Sequence, residues 1–157
     1  MTPGQNISRS QYFRASVGAL ITNGKGEVLA FERRDVPGAW QLPQGGIEEG
    51  EEPIDAIKRE ILEETGIKQE DLVLIREHPD FLTYELPLEY RSEKTGRGQT
   101  QQWFLFRYAA DESRIQLSEN CEFIAWEWMP FQDLTKKAVS FRKEVYRRIA
   151  AEFTEIG

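Results

Sequence analysis

The stretch that organises this chain is residues 45–67, which read Gly45-Gly46-Ile47-Glu48-Glu49-Gly50-Glu51-Glu52-Pro53-Ile54-Asp55-Ala56-Ile57-Lys58-Arg59-Glu60-Ile61-Leu62-Glu63-Glu64-Thr65-Gly66-Ile67. It begins as a glycine-rich, acidic loop. Pro53 suits the first turn of a helix, where its missing N–H costs nothing, and Gly66 suits the left-handed position that ends one. Ile54, Ile57 and Ile61 form one apolar stripe at helical spacing. The stretch therefore predicts an amphipathic helix between Pro53 and Gly66.

Three carboxylates lie beside that stripe. At about 100° per residue, Glu60, Glu63 and Glu64 fall within roughly 100° of arc. A pair of like charges at about 4 Å costs on the order of 4 kcal/mol at an effective dielectric constant of about 20. Mg²⁺ and Mn²⁺ remove this repulsion and prefer such oxygen ligands. The spacing alone leaves two interpretations open, a metal site and an ordinary solvated acidic helix face.

Composition predicts a soluble globular protein without a membrane span. A length of 157 residues fits a flexible N-terminal lead over residues 1–11 and one domain over residues 12–157, with room for a sizeable core. Hydrophobic residues make up 39% and charged residues 30%, and no apolar run approaches about 18 residues. The single cysteine, Cys121, excludes an intrachain disulfide and predicts a cytoplasmic location.

The net charge and the histidine content limit the ligands and the catalytic groups that this chain can use. The formal net charge of −7 disfavours loose binding along DNA or other long nucleic acids, but it leaves room for a basic pocket that holds one phosphorylated end. The one histidine, His78, argues against a multi-histidine zinc site and against a histidine nucleophile. Carboxylates are therefore the main candidates for acid–base groups.

Segments with strand patterns precede and follow the predicted helix in the sequence. A second amphipathic helix is expected over 139–153, and a single helical turn over 130–134. This order predicts an α/β protein with a mixed sheet held between helices. The predicted strands are residues 15–22, 27–33, 72–77, 81–86, 99–108 and 123–129.

The spacing of residues 45–67 resembles the signature of the Nudix hydrolases at every defining position. It reads Gly45, five residues, Glu51, seven residues, Arg59-Glu60, an apolar residue, any residue, Glu63-Glu64, any residue, Gly66 and an apolar residue. The resemblance implies an α/β/α sandwich. It also implies a metal-dependent hydrolase that cleaves phosphoanhydride bonds in nucleotide 5′-polyphosphates.

Three further segments indicate which group of Nudix hydrolases the chain resembles. The resemblance spans about residues 12 to 153. Residues 40–46, 98–104 and 139–146 are similar to those of bacterial RNA pyrophosphohydrolases and of plant-type dinucleoside polyphosphate hydrolases. We expect first the conversion of 5′-triphosphate RNA to 5′-monophosphate RNA. The alternative is asymmetric cleavage of a dinucleoside polyphosphate such as diadenosine tetraphosphate. The acidic net charge, and Gln102 where relatives often have lysine, favour this alternative mildly.

Two other functions are weaker candidates. A nucleotide-binding module without catalysis would be expected to have a disrupted glutamate set, whereas this set is intact. Hydrolysis of a sugar nucleotide such as ADP-ribose would usually bring different residues at 40–46 and 139–146. Neither the oligomeric state nor any activating partner can be inferred from the sequence.

The resemblance also implies roles for single residues in catalysis. Glu60, Glu63 and Glu64 would hold two or more Mg²⁺ or Mn²⁺ ions, together with Glu122 and the backbone carbonyl of Gln44. Glu63 is the preferred general base and Glu122 the alternative, since the sequence does not separate a base from a ligand. Arg59 is expected to pair with a glutamate such as Glu51 and so to orient the cluster. The residues expected near the substrate are Arg14, Arg34, Tyr84, Val139, Phe141 and Arg142.

Overall fold

Eight strands and three helices make up the computed structural model, which describes residues 12–93 and 95–153. The lead expected over residues 1–11 lies outside the described residues. The strands are β1 (Phe13–Thr22), β2 (Glu27–Arg33), β3 (Trp40–Gln41), β4 (Gln44–Gly46), β5 (Leu72–Glu77), β6 (Leu82–Glu85), β7 (Gly98–Tyr108) and β8 (Phe123–Pro130). The helices are α1 (Pro53–Thr65), α2 (Phe131–Lys137) and α3 (Ser140–Glu152).

The strands form one mixed sheet with the order β3-β2-β1-β7-β5. β4 also pairs with β1, β6 with β7, and β8 with β2. β1 and β7 run parallel, from Phe13 opposite Gly98 to Thr22 opposite Arg107, and the other pairings are antiparallel. The first residues of β1 and β7 therefore lie side by side, with β4 and β6 next to them.

A helical layer covers each face of the sheet. Because side chains alternate along a strand, Val17 packs with Ile57 and Ile61 of α1, whereas Leu20 packs on the opposite face with Tyr146 of α3. The predicted α/β/α sandwich with a mixed sheet is confirmed.

Helix α1 begins and ends where its residues predict. Pro53 occupies the first turn, and Gly66 has a left-handed φ of 79° while its N–H donates to the carbonyl of Leu62. Among the helices of the described residues, none has the length and apolar character needed to cross a membrane.

Two elements differ from the sequence expectation. The sequence analysis assigned no strand to residues 40–46, but β3 and β4 lie there, and at two and three residues they are too short to show an alternating pattern. The single turn expected over 130–134 is helix α2, which extends to Lys137. The first of these differences concerns the glycine-rich loop, because β4 fixes the start of that loop to β1.

Candidate active site

The three glutamates of α1 differ in exposure. Glu64 is buried, with 7% of its surface exposed, and the side chain of Glu60 is 14% exposed. Glu63 points outward and its side chain is 57% exposed. The carboxylate of Glu60 lies so close to Gly45 that a Cβ atom at that position would overlap with it. The first glycine of the stretch is therefore required by the close approach of Glu60.

Glu64 and Glu122 form a strained electrostatic pair. Burial raises the pKa of Glu64 well above its usual range, and the negative charges of Glu122 and Glu60 raise it further. Burial also raises the pKa of Glu122, an effect that the positive charges of Arg33 and Arg142 oppose. The Oε2 atom of Glu64 is buried and has no hydrogen-bond partner within the described residues. The fold thus brings the distant Glu122 to the carboxylates of α1.

Arg59 links the acidic loop to the helix. Its Nε donates to Glu51 Oε2 at 2.8 Å, its Nη1 to Glu60 Oε1 at 2.8 Å and to Glu63 Oε2 at 3.3 Å, and its Nη2 to the carbonyl of Gly46 at 2.9 Å. The hydrogen bonds from Arg59 lower the pKa of Glu51 to about 2. The expected pairing of Arg59 with Glu51 is confirmed, and it orients Glu60 and Glu63 from one side.

The carboxylates do not form a finished metal site by themselves. Among residues 12–93 and 95–153, no three acidic, histidine or cysteine side chains are arranged to hold a metal ion. The chemistry of the donors nevertheless fits one. Glu64 has an unpaired buried oxygen, it is repelled by Glu60 and Glu122, and all the donors are the oxygen atoms that hard divalent cations prefer.

Three aromatic rings, those of Tyr84, Phe141 and Tyr90, lie together on the α3 side of the sheet, and we call them the aromatic wall. The rings of Tyr84 and Phe141 stack with centroids 5.8 Å apart and an interplanar angle of 22°. The Tyr84 hydroxyl is buried without a hydrogen-bond partner among the described residues. Tyr90 extends the wall, with its ring 6.0 Å from that of Phe141. The sequence analysis did not identify Tyr90, because the residues around it show no periodic pattern.

Arg142 connects this wall to the carboxylates. Its Nη1 donates to Gln41 Oε1, and its guanidinium lies 5.4 Å from the centroid of the Phe141 ring. Its positive charge lowers the pKa of Glu122, so the two groups are near each other. Val139 precedes α3, and its carbonyl accepts from the Arg142 N–H at 3.0 Å. Val139 therefore sets the backbone from which Phe141 and Arg142 project.

Arg14 and Arg34, the other two arginines expected near the substrate, have different environments. The guanidinium of Arg14 packs on Gly46, where a Cβ atom would overlap with it, and it makes no hydrogen bond or ion pair within the described residues. Arg34 instead donates from Nε to the carbonyl of Cys121 at 3.0 Å and from Nη2 to that of Glu119 at 2.8 Å. Arg34 thus holds the loop that carries Glu122, whereas Arg14 lies beside the glycine-rich loop.

A row of polar side chains, of which Ser16 and Gln101 are buried and Gln44 and Gln99 half-buried, crosses the sheet between these groups. Ser16 Oγ donates to Gln99 Oε1 at 2.9 Å, and Gln101 Nε2 donates to Gln44 Oε1 at 3.3 Å. The sequence analysis assigned no role to Ser16, Gln99 or Gln101, because they become neighbours only when β1, β4 and β7 pair. Their tertiary placement beside Gln44 makes them part of the floor of the site.

Gln102 lies on the opposite face of β7 from Gln101, since neighbouring residues of a strand alternate. Its Nε2 donates to Glu77 Oε2 at 2.6 Å. Gln102 therefore lies outside the polar row, on the sheet face that carries α1. Its mild support for a dinucleoside polyphosphate substrate stays a prediction.

Comparisons with known proteins identify the family of this chain. Residues 12–149 match the NUDIX domain, and the chain belongs to the NUDIX family. It is 41% identical over 158 residues to an RNA pyrophosphohydrolase of Roseobacter denitrificans, with 98% of each chain covered. An RNA pyrophosphohydrolase of Mesorhizobium japonicum is 38% identical over 161 residues, with 92% of each chain covered. The resemblance inferred from the sequence is confirmed.

Solved structures show the same fold. The E. coli dihydroneopterin triphosphate pyrophosphohydrolase superposes with a TM-score of 0.70 at 23% identity, covering 90% of this chain and 99% of that one. An Ap4A hydrolase of C. elegans superposes with a TM-score of 0.66 at 24% identity, covering 88% and 96%. These two likenesses concern the fold alone. NUDIX hydrolases generally use divalent metal ions, which agrees with the donor set described above.

Proposed function

We propose that this protein is a metal-dependent pyrophosphohydrolase that converts 5′-triphosphate RNA to 5′-monophosphate RNA. The observation that carries the proposal is the meeting of Glu60, Glu64 and Glu122, with Arg142 placed between Glu122 and the aromatic wall. Relatives that are 38–41% identical over almost the whole chain have the name RNA pyrophosphohydrolase. We assign this protein the same substrate class.

Carboxylates would hold the cofactor in this proposal. Glu60, Glu64, Glu122 and the Gln44 carbonyl would bind Mg²⁺ or Mn²⁺, with two or more ions in the working enzyme. Such ions, when bound, neutralise the charge of a polyphosphate and acidify water. Arg59 would keep Glu60 and Glu63 in position throughout.

Proton transfer would fall to Glu63. The attacking water adds its oxygen to phosphorus, the bridging oxygen leaves with the bond electrons, and the proton passes to the Glu63 carboxylate. Glu63 is the most exposed of the three helix glutamates, so it can release that proton to solvent. Glu122 is the second candidate for the base, and its raised pKa suits a proton acceptor working near neutral pH.

Substrate binding would use the α3 side. A base would stack against the wall of Tyr84 and Phe141, while Arg14 and Arg142 would bind phosphate oxygens. Arg14 is suited to this role because it has no partner within the described residues. A dinucleoside polyphosphate such as diadenosine tetraphosphate is the second candidate substrate, because an Ap4A hydrolase shares the fold.

The proposal also includes a cellular location, a domain organisation and the exclusion of DNA as a substrate. We place the protein in the cytoplasm, which the single cysteine fits, and treat residues 12–157 as one domain. DNA is not a proposed substrate, since the net charge of −7 disfavours binding along a duplex.

The test compares both substrates and one matched pair of variants in Mg²⁺. The wild-type enzyme should produce 5′-monophosphate RNA from 5′-triphosphate RNA and cleave diadenosine tetraphosphate poorly. Glu63→Gln should lower kcat by about 100-fold or more while the unfolding curve stays unchanged. Glu49→Gln removes a neighbouring exposed carboxylate and should keep full activity.

Two outcomes would change the proposal. A preference for diadenosine tetraphosphate would replace the RNA substrate by the dinucleoside polyphosphate. Near-normal turnover by Glu63→Gln would remove Glu63 from the mechanism and leave Glu122 as the base to be tested.

A further inference from the structure

Positive charge is concentrated in one segment of this acidic chain. Residues 136–148 contain six lysines and arginines and one glutamate, so the segment carries a net charge of +5. Because the whole chain carries −7, the remaining residues carry −12. A helix face that serves only solubility usually mixes both signs along its length. The segment is therefore distinct from the rest of the surface.

The segment covers the end of α2 and the first turns of α3. Lys136 is exposed in the last turn of α2. The ring of Tyr146 in α3 contacts that of Phe131 in α2, with centroids 6.1 Å apart, which identifies the flank of α3 that faces α2. Lys143 and Arg147 lie within about 100° of Tyr146 on that flank and about 6 Å apart along the helix axis. We call Lys136, Lys143 and Arg147 the basic strip.

The basic strip adjoins the candidate active site. Lys143 follows Arg142, whose guanidinium binds Gln41 and lies over Phe141. Next to Lys136, Lys137 places its Nζ 5.7 Å from the centroid of the Trp40 ring, and Trp40 directly precedes Gln41. Lys136 and Lys143 are thus each next in the chain to a cation that contacts Trp40 or Gln41, so the strip begins beside the candidate active site.

The cations of the basic strip are available to a ligand. Lys136 and Lys143 form no ion pair within the described residues. Arg147 has one partner, Glu144 at 2.9 Å, and both side chains are more than half exposed, so that pair contributes little. An incoming phosphate could replace it at small cost.

We infer that the basic strip binds backbone phosphates of the RNA downstream of its 5′ end. This inference rests on the proposed function and specifies where the RNA runs after its first nucleotides leave the cleft. The spacing of Lys143 and Arg147 is close to the distance between successive phosphates of a single strand. The strongly negative remainder of the surface repels RNA, so the strip is the face on which a chain can continue. A dinucleoside polyphosphate is too short to use it.

The experiment compares two triple variants with equal loss of charge. Lys136→Gln/Lys143→Gln/Arg147→Gln removes the basic strip. Lys25→Gln/Lys68→Gln/Arg107→Gln removes three exposed cations elsewhere and is the matched control. Each enzyme is assayed at several NaCl concentrations with a 5′-triphosphorylated dinucleotide and with a 5′-triphosphorylated RNA of about fifteen nucleotides.

The strip variant should lose about tenfold or more in kcat/KM on the longer RNA at low salt. Its plot of log(kcat/KM) against log[NaCl] should become less steep by about 2, because each phosphate contact on a single strand contributes about 0.7. Turnover of the dinucleotide should not change. The control variant should show neither effect.

Other outcomes separate the two proposals. A wild-type enzyme that hydrolyses neither RNA would overturn the proposed function, and the inference with it. Equal wild-type kcat/KM and equal salt slopes for both RNAs would keep the proposed function and overturn the inference. Equal losses in both triple variants would also overturn it, since total charge rather than the strip would then govern binding. A strip variant that keeps the wild-type RNA kinetics would also overturn the inference. The strip would then be a candidate site for a different partner, such as an acidic protein.

Discussion

The two faces of the sheet hold two different kinds of site. On the α1 face, the acidic groups come from one continuous stretch, residues 45–64, joined by Glu122 alone from a distant loop. On the α3 face, the stacked residues Tyr84 and Phe141 are far apart in the chain and meet only through the sheet. The difference indicates that the bond-breaking groups are set by local spacing, whereas the groups that would hold the substrate are set by tertiary structure.

Both faces contain buried polar atoms without partners. Glu64 Oε2 on one side, and Tyr84 Oη and Arg142 Nε on the other, have no hydrogen bond within the described residues. Buried polar atoms of this kind usually have partners in native proteins, so each one calls for an explanation. A cation would satisfy the acidic oxygen, and an anionic nucleotide would satisfy the hydroxyl and the guanidinium. The α1 face would therefore bind a cation, and the α3 face would bind an anion.

The largest expected effect comes from disturbing the acidic face at its backbone. Gly45→Ala places a methyl group into the carboxylate of Glu60 and must move it. A displacement of about 1 Å costs on the order of 100-fold in rate at a catalytic site, so we expect kcat to fall by about 100-fold or more. Steady-state kinetics with 5′-triphosphate RNA in Mg²⁺ measures this effect.

The control for this variant shortens the displaced side chain. Glu60→Asp withdraws the carboxylate by one methylene, so Gly45→Ala/Glu60→Asp should unfold at a higher temperature than Gly45→Ala alone. If Gly45→Ala keeps the wild-type kcat, the close approach of Glu60 to the glycine-rich loop is not needed for catalysis.

A smaller effect is expected on the α3 face. Phe141→Ala removes one ring of the aromatic wall, and stacking of a base on such a ring contributes about 1–3 kcal/mol. We expect kcat/KM to fall by about tenfold to 100-fold, mainly through a higher KM, because in the proposed function the ring would bind the substrate without touching the reacting atoms. Phe141→Tyr retains the ring and should keep most of the activity. A fall in kcat at constant KM would instead assign Phe141 to the chemical step and weaken the contrast between the faces.

The sequence alone predicted the acidic face far better than the aromatic face. Pro53, Gly66 and the apolar stripe fixed the bounds of α1, and the glutamate spacing identified the charged edge. Glu122 was reached only through family resemblance, since nothing near it in the chain marks it. Local periodicity decides helices, but it says nothing about which loop will lie opposite a helix.

What escaped prediction depends on tertiary contact. The guanidinium of Arg34 binds the loop that carries Glu122, an arrangement set by the β2–β8 pairing, and its place near phosphates stays a prediction. Tyr90 joins the aromatic wall from a loop without any periodic signal. His78 is buried, with its ring packed edge-on against that of Phe153 near the end of α3. In each case a residue from a distant part of the chain decides the environment.

The smallest expected effect concerns the link between the acidic loop and α1. Arg59 lowers the pKa of Glu51 from 4.5 to about 2, so ionised Glu51 stabilises the folded protein. For a lowered carboxyl pKa, this contribution is fully present above pH 4.5 and is lost as the pH falls through about 2. The wild-type protein should therefore be more stable than Glu51→Gln by a constant amount above about pH 5, and the difference should shrink steadily below it. Denaturant unfolding of the metal-free proteins across this pH range measures the difference, with Glu49→Gln as a control that shows no such trend. A difference that stays constant on acidification would mean that Arg59 does not lower the pKa of Glu51, and the acidic loop would then be independent of the α1 glutamates.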